Sequence, residues 1–105
     1  MSTIGASNLT GYAESKSFSN ISATTAAFKL TGGMYGITAK ATWGGGSVTL
    51  QRMAADSTTY VSTGTVLSAD GFTTATLPGG SYKFAVASAT GIYVDITAVV
   101  TAREA

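Results

Sequence analysis

From Ala26 onward the chain alternates apolar and polar positions in short runs, and most runs end at glycine. The clearest run spans 34–43, where Tyr35, Ile37, Ala39, Ala41 and Trp43 alternate with Gly36, Thr38, Lys40 and Thr42. A period of two places every second side chain on one face, so the run predicts a half-buried strand. The last run is similar: Ile92, Val94, Ile96, Ala98 and Val100 share one phase, and Tyr93, Asp95 and Thr97 share the other. Between these lie shorter runs at Phe28–Leu30, Ser47–Met53, Thr58–Ser62, Thr65–Ala69, Phe72–Leu77 and Ser81–Ala87. Their breaks are Gly32-Gly33, Gly44-Gly45-Gly46, Asp56, Asp70-Gly71, Pro78-Gly79-Gly80 and Thr90-Gly91, all turn-forming residues. Turn signals at this spacing leave no room for helices. The expectation is an all-β domain, an antiparallel β-sandwich of about eight short strands, with a jelly-roll connection order as one option.

Residues 1–25 read differently. They are rich in Ser, Thr, Asn, Gly and Ala, and their apolar residues Ile4, Leu9, Tyr12, Phe18 and Ile21 stand apart. Such a segment buries too little apolar surface to offset its own ordering entropy. It predicts an extended arm, residues 1–25, ordered against its own domain (residues 26–105) or against a neighbour. In the second case these five side chains are candidate interface residues.

The aromatic residues divide by phase. Tyr35, Tyr82, Phe84 and Trp43 fall on inward positions. Tyr60 and Tyr93 are interface candidates, because Tyr93 opposes the Ile92/Val94/Ile96 face. With Val99 also on the phase of Tyr93, the last strand is expected to be covered on both sides, which points to a second chain. A competing use of the aromatics is a carbohydrate-stacking platform, with Trp43 beside Tyr60.

Composition narrows the chemistry. The chain has 105 residues, a formal net charge of +1, and charged residues at 10%, well under the usual quarter. Ser and Thr make up more than a quarter of it and supply the polar surface. With no Cys and no His, there is no thiolate nucleophile, imidazole base or Cys/His metal cage. The carboxylates Glu14, Asp56, Asp70, Asp95 and Glu104 read as turn and surface residues, not as a catalytic pair. No enzyme activity and no cofactor are expected. The cations Lys16, Lys29, Lys40, Arg52, Lys83 and Arg103 are scattered singly, which argues against a nucleic-acid partner. The longest apolar stretch, Phe84–Val94, stops at Asp95 and is too short for a membrane helix. The N-terminus has no basic and apolar leader pattern, so synthesis in a cytoplasm is expected.

Three stretches carry a resemblance: Leu30-Thr-Gly-Gly-Met-Tyr-Gly-Ile37, Ala41-Thr-Trp-Gly-Gly-Gly-Ser-Val-Thr-Leu-Gln51, and Ala69-Asp-Gly-Phe-Thr-Thr-Ala-Thr-Leu-Pro-Gly-Gly-Ser-Tyr-Lys-Phe84. Together they make residues 28–100 resemble small β-rich virion proteins of tailed bacteriophages, with capsid decoration (cement) proteins the best fit. The resemblance implies a structural protein on the outside of the phage head that stabilises the shell. Its partners would be the major capsid protein and further copies of itself, a trimer ahead of a dimer. It carries over no residue-level contact motif. The alternative from another class is a carbohydrate- or receptor-binding module of a tail tip or fibre.

Overall fold

In the computed structural model, which describes residues 14–99, every regular element is a strand. These are β1 (Ser15–Ile21), β2 (Phe28–Thr42), β3 (Ser47–Met53), β4 (Tyr60–Leu67), β5 (Gly71–Ala87) and β6 (Thr90–Ala98). They form one antiparallel sheet in the order β1-β6-β2-β5-β3-β4. No helix among the described residues is long and apolar enough to cross a membrane.

Six strands replace the expected eight for two reasons. One strand, β1, arises inside the segment expected as an arm. Three pairs of expected runs are single strands: Gly32-Gly33, Gly64 and Pro78-Gly79-Gly80 lie within β2, β4 and β5 and do not end them. The β2–β5 ladder shows how. Gly32 pairs with Pro78, Gly33 with Leu77 and Leu30 with Gly80, so the glycines of both strands meet at one level and the register runs through unbroken. A Cβ on Gly32 would lie 2.9 Å from the Gly79 nitrogen, and one on Gly79 would lie 2.9 Å from the Thr31 oxygen. Only glycine permits backbones that close.

The faces exchange at this level. Before it, Phe28 and Leu30 of β2 are buried; after it, Tyr35, Ile37 and Ala39 are, which shifts the inward phase by one residue. β5 does the same, from Leu77 to Tyr82 and Phe84. With the register intact, a phase change in both strands means the ribbon rolls over as a unit. Its other side then turns to the core.

That roll lets one sheet enclose its own core. In a flat sheet β1 and β5 would stand three strands apart, about 14 Å. Yet the Phe18 ring of β1 lies 6.0 Å from that of Phe84 and 5.7 Å from that of Phe28, and Phe28 lies 5.6 Å from Phe84. Around this cluster, Val48 and Leu50 of β3 share one buried core with Ile92, Val94 and Ile96 of β6. The two outer strands, β1 and β4, remain unpaired on their far sides, so the sheet is not closed.

Residues 14–25 therefore order against their own domain, one of the two places expected for the arm. β1 pairs with β6 from Ser15↔Thr97 to Ile21↔Ile92. Beyond it, Thr25 exchanges hydrogen bonds with Phe84: its amide donates to the Phe84 carbonyl (3.0 Å), and its hydroxyl accepts from the Phe84 amide (3.1 Å). The Val86 amide donates to the Thr24 hydroxyl (3.0 Å). These hydroxyls occupy a ladder edge that β5 would otherwise leave open.

Candidate interaction surface

The residues singled out from the sequence fall in different places. Ile4, Leu9 and Tyr12 lie outside the described residues. Phe18 and Ile21 pack against the core, where they are committed to holding β1 down. Tyr60 is half-buried; its hydroxyl shares a hydrogen bond with Ser81 (3.1 Å), and the Lys83 ammonium sits 4.4 Å from its ring centroid. Tyr93 is exposed, with the Lys40 ammonium 5.5 Å from its ring centroid. Tyr60 and Tyr93 thus each carry a cation on the ring, the geometry of a cation–π contact. Trp43 and Tyr60 do not form a platform. They flank opposite ends of β3, seven residues long, which separates them by about 20 Å.

Three of the carboxylates, Glu14, Asp56 and Asp70, are engaged with their own surroundings, and Glu104 lies outside the described residues. Glu14 accepts from the Thr31 amide and hydroxyl (3.1 Å) and from the Tyr35 hydroxyl (2.5 Å), and the Gly32 amide donates back to the Tyr35 oxygen (3.0 Å). Burial works to raise the Glu14 pKa, but the hydrogen bonds from Tyr35 and Thr31 outweigh it and hold the carboxyl below its usual value. Burial and the Glu14 contact together push the Tyr35 phenol up. Sequence reasoning missed this group. A buried tyrosine must find a partner for its hydroxyl, but nothing in the spacing from 14 to 35 identifies Glu14 as that partner.

Asp70 accepts from the Trp43 indole (2.8 Å) and the Ala41 amide (3.1 Å), in that order the causes of its lowered pKa. Asp56 takes the Thr59 hydroxyl and the Thr58 and Thr59 amides in an Asx turn, which hold it far below the carboxylate range. Among the described residues no three acidic side chains converge as a metal site would need.

What the structure does bring together is a face. β1, β6, the second half of β2 and the first half of β5 lie side by side, and their outward phase forms one continuous surface. Three contacts fix its membership: Ser15 and Thr97 hydroxyls at 3.1 Å, Lys40 over Tyr93, and the Phe72 ring over Gly36. A Cβ on Gly36 would meet the Phe72 ring at 3.0 Å, so the missing side chain lets the ring lie across β2. Met34, Phe72, Tyr93 and Val99 all project here, four of the six exposed large apolar side chains. Between them stand Thr38, Thr74, Thr76, Thr97, Ser15 and Ser17. Lys40 and Asp95 are charges on it, and Asp70, held by the Trp43 indole and the Ala41 amide, lies beside Lys40 at its end. Sequence phase picks out Tyr93 and Val99 but not Met34, which opens the clearest alternating run on its polar phase, nor Phe72, whose place on this face depends on the pairing of β2 with β5.

The opposite outer surface differs. Lys29 and Lys83 flank Ser81 there, since Lys29 pairs with Ser81 and Lys83 follows two residues on. No protein-family model matches this chain, and no curated protein and no solved structure matches it.

Proposed function

We propose that the protein is a virion structural component, a capsid decoration protein that binds the outside of a phage head and stabilises the shell. In this reading the rolled sheet serves as a two-layer β-sandwich, made in a host cytoplasm and carried on the capsid surface. The observation that supports it is the face of β1, β6, β2 and β5. It is broad and nearly uncharged, coated with hydroxyls and set with four apolar side chains. Burying charge at an interface is expensive, whereas hydroxyls desolvate at much lower cost and apolar side chains gain. The motifs between Leu30 and Phe84 that resemble phage virion proteins supply the choice of capsid as partner. Binding at many symmetry-related positions lets each contact stay modest.

The second reading, a carbohydrate- or receptor-binding module, would need another site than Trp43 with Tyr60, given their separation along β3. Co-sedimentation with empty heads tests the first reading. Purified protein should saturate heads at a fixed ratio to the major capsid protein and raise their resistance to heat. Deleting residues 2–13, which carry Ile4, Leu9 and Tyr12 and leave β1 whole, isolates the contribution of the N-terminal segment. Absence of full-length protein from the head fraction at saturating concentration would refute the reading.

A further inference from the structure

We propose that the face built by β1, β6, β2 and β5 docks a second copy of this chain across a two-fold axis. The proposal stands on the surface itself; the face cannot hold the capsid and a second copy at once, so the dimer is the form free in solution and capsid binding would displace the partner copy.

Charge complementarity names the occupant. Lys40 pairs across the ladder with Tyr93, and Thr38 with Asp95, so Lys40 and Asp95 sit on one diagonal of the same face. Diagonal neighbours lie about 7–8 Å apart. Two points on one face are exchanged by a two-fold axis lying in the plane of contact. The axis that exchanges these two sets each Lys40 against the Asp95 of the other copy, two ion pairs from a single cation and a single anion. An isologous interface requires this self-complementarity, in which residue i meets j and j meets i. A surface with one sign of charge would oppose its own copy. The near-zero net charge adds little repulsion between copies.

The apolar side chains fit the same occupant. Phe72, at 66% exposure, is the most exposed large apolar residue, and Tyr93, Met34 and Val99 stand at 44–50%. Phe72, Tyr93 and Met34 are residue types enriched at interface cores. The area sets the strength. Four strands about 4.8 Å apart and seven residues deep at about 3.3 Å each cover about 450 Å² per copy. Twice that is at the low end of specific interfaces, so the dimer is a weak one, with a Kd of about 1–100 μM. The association proposed is two-fold, the dimer that the resemblance ranks behind a trimer.

Sedimentation equilibrium of the full chain, from micromolar to millimolar, tests this. The expected result is a monomer–dimer equilibrium that Lys40→Glu or Asp95→Lys alone weakens by about tenfold or more, since each reversal places like charges together twice. The double variant K40E/D95K should return to within about threefold of the parent, because both pairs re-form with signs exchanged. Phe72→Ser should weaken the dimer without charge change, and circular dichroism should find all variants folded. A monomer at every concentration, a mass of three copies, or single reversals that dimerise as well as the parent would each overturn the proposal. So would a double variant no better than its singles.

Discussion

Gly44-Gly45-Gly46 reads in the sequence as one flexible turn, yet the structure gives its last two glycines opposite reasons to be glycine. Gly45 has φ +83° with nothing within 4 Å of a Cβ placed on it. Gly46 has no positive φ, but its Cβ would run into the Ala87 carbonyl oxygen and lie 2.6 Å from the Ala89 nitrogen and the Ser88 carbonyl carbon. Alanine at 45 therefore costs only the left-handed backbone conformation, about 1–2 kcal/mol. Alanine at 46 collides with backbone on all three counts, and no side chain can swing away. Overpacking costs about 1–3 kcal/mol where neighbours can shift and more where they cannot, so about 3 kcal/mol or more is expected. At about 4–8 °C per kcal/mol for a domain of this size, Gly46→Ala should lower Tm by at least about 12 °C. Gly45→Ala should lower it by about 4–16 °C. Urea melts followed by circular dichroism give the comparison as free energies, with both variants in one buffer. Equal stability of Gly46→Ala and Gly45→Ala would contradict this, because the approach of the turn at 44–46 to residues 87–89 would then not be fixed.

Phe18→Ala should cost about 2–4 kcal/mol, somewhat less than a fully buried phenylalanine, because it empties one corner of the Phe18/Phe28/Phe84 cluster; chemical denaturation measures it, and a neutral outcome would mean β1 is not part of the core. Asp70→Ala removes the acceptor of the Trp43 indole and the Ala41 amide, so it should lower Tm and change the tryptophan emission together; an unchanged spectrum would contradict the contact. Acid should destabilise the fold. Glu14 and Asp70 are both depressed in the folded state, so their contribution is present above the unfolded carboxylate range and lost as pH falls through their folded values. Glu14→Gln, in a melt series from pH 7 to pH 2, should flatten part of that loss; an identical acid limb would remove Glu14 from the account.

The strand faces were legible because burial follows a period of two, and Tyr35, Ile37, Ile92, Val94 and Ile96 lie where that phase puts them. Strand ends were less legible. Gly32-Gly33 and Pro78-Gly79-Gly80 carry the composition of turns, and only their meeting across the ladder makes them a shared roll. Reading a break at each still gave the right faces, since the inward phase does change there. β1 was hidden for a different reason. Its two large apolar residues, Phe18 and Ile21, fall on opposite phases because the register shifts between them, so the strand has little alternation of its own. The interaction face was half visible. Tyr93 and Val99 declared themselves by phase, while Phe72 needed its position over Gly36, which depends on the pairing of β2 with β5.

The proposed role turns on location in an assembled particle. Electron microscopy of virions from cells producing the protein, with antibody-bound gold marking it, measures this most directly. A capsid decoration protein predicts label and regular density over the outer surface of the head, lost together when the protein is omitted. Label confined to the tail or its tip, or particles with no label at all, would contradict the account.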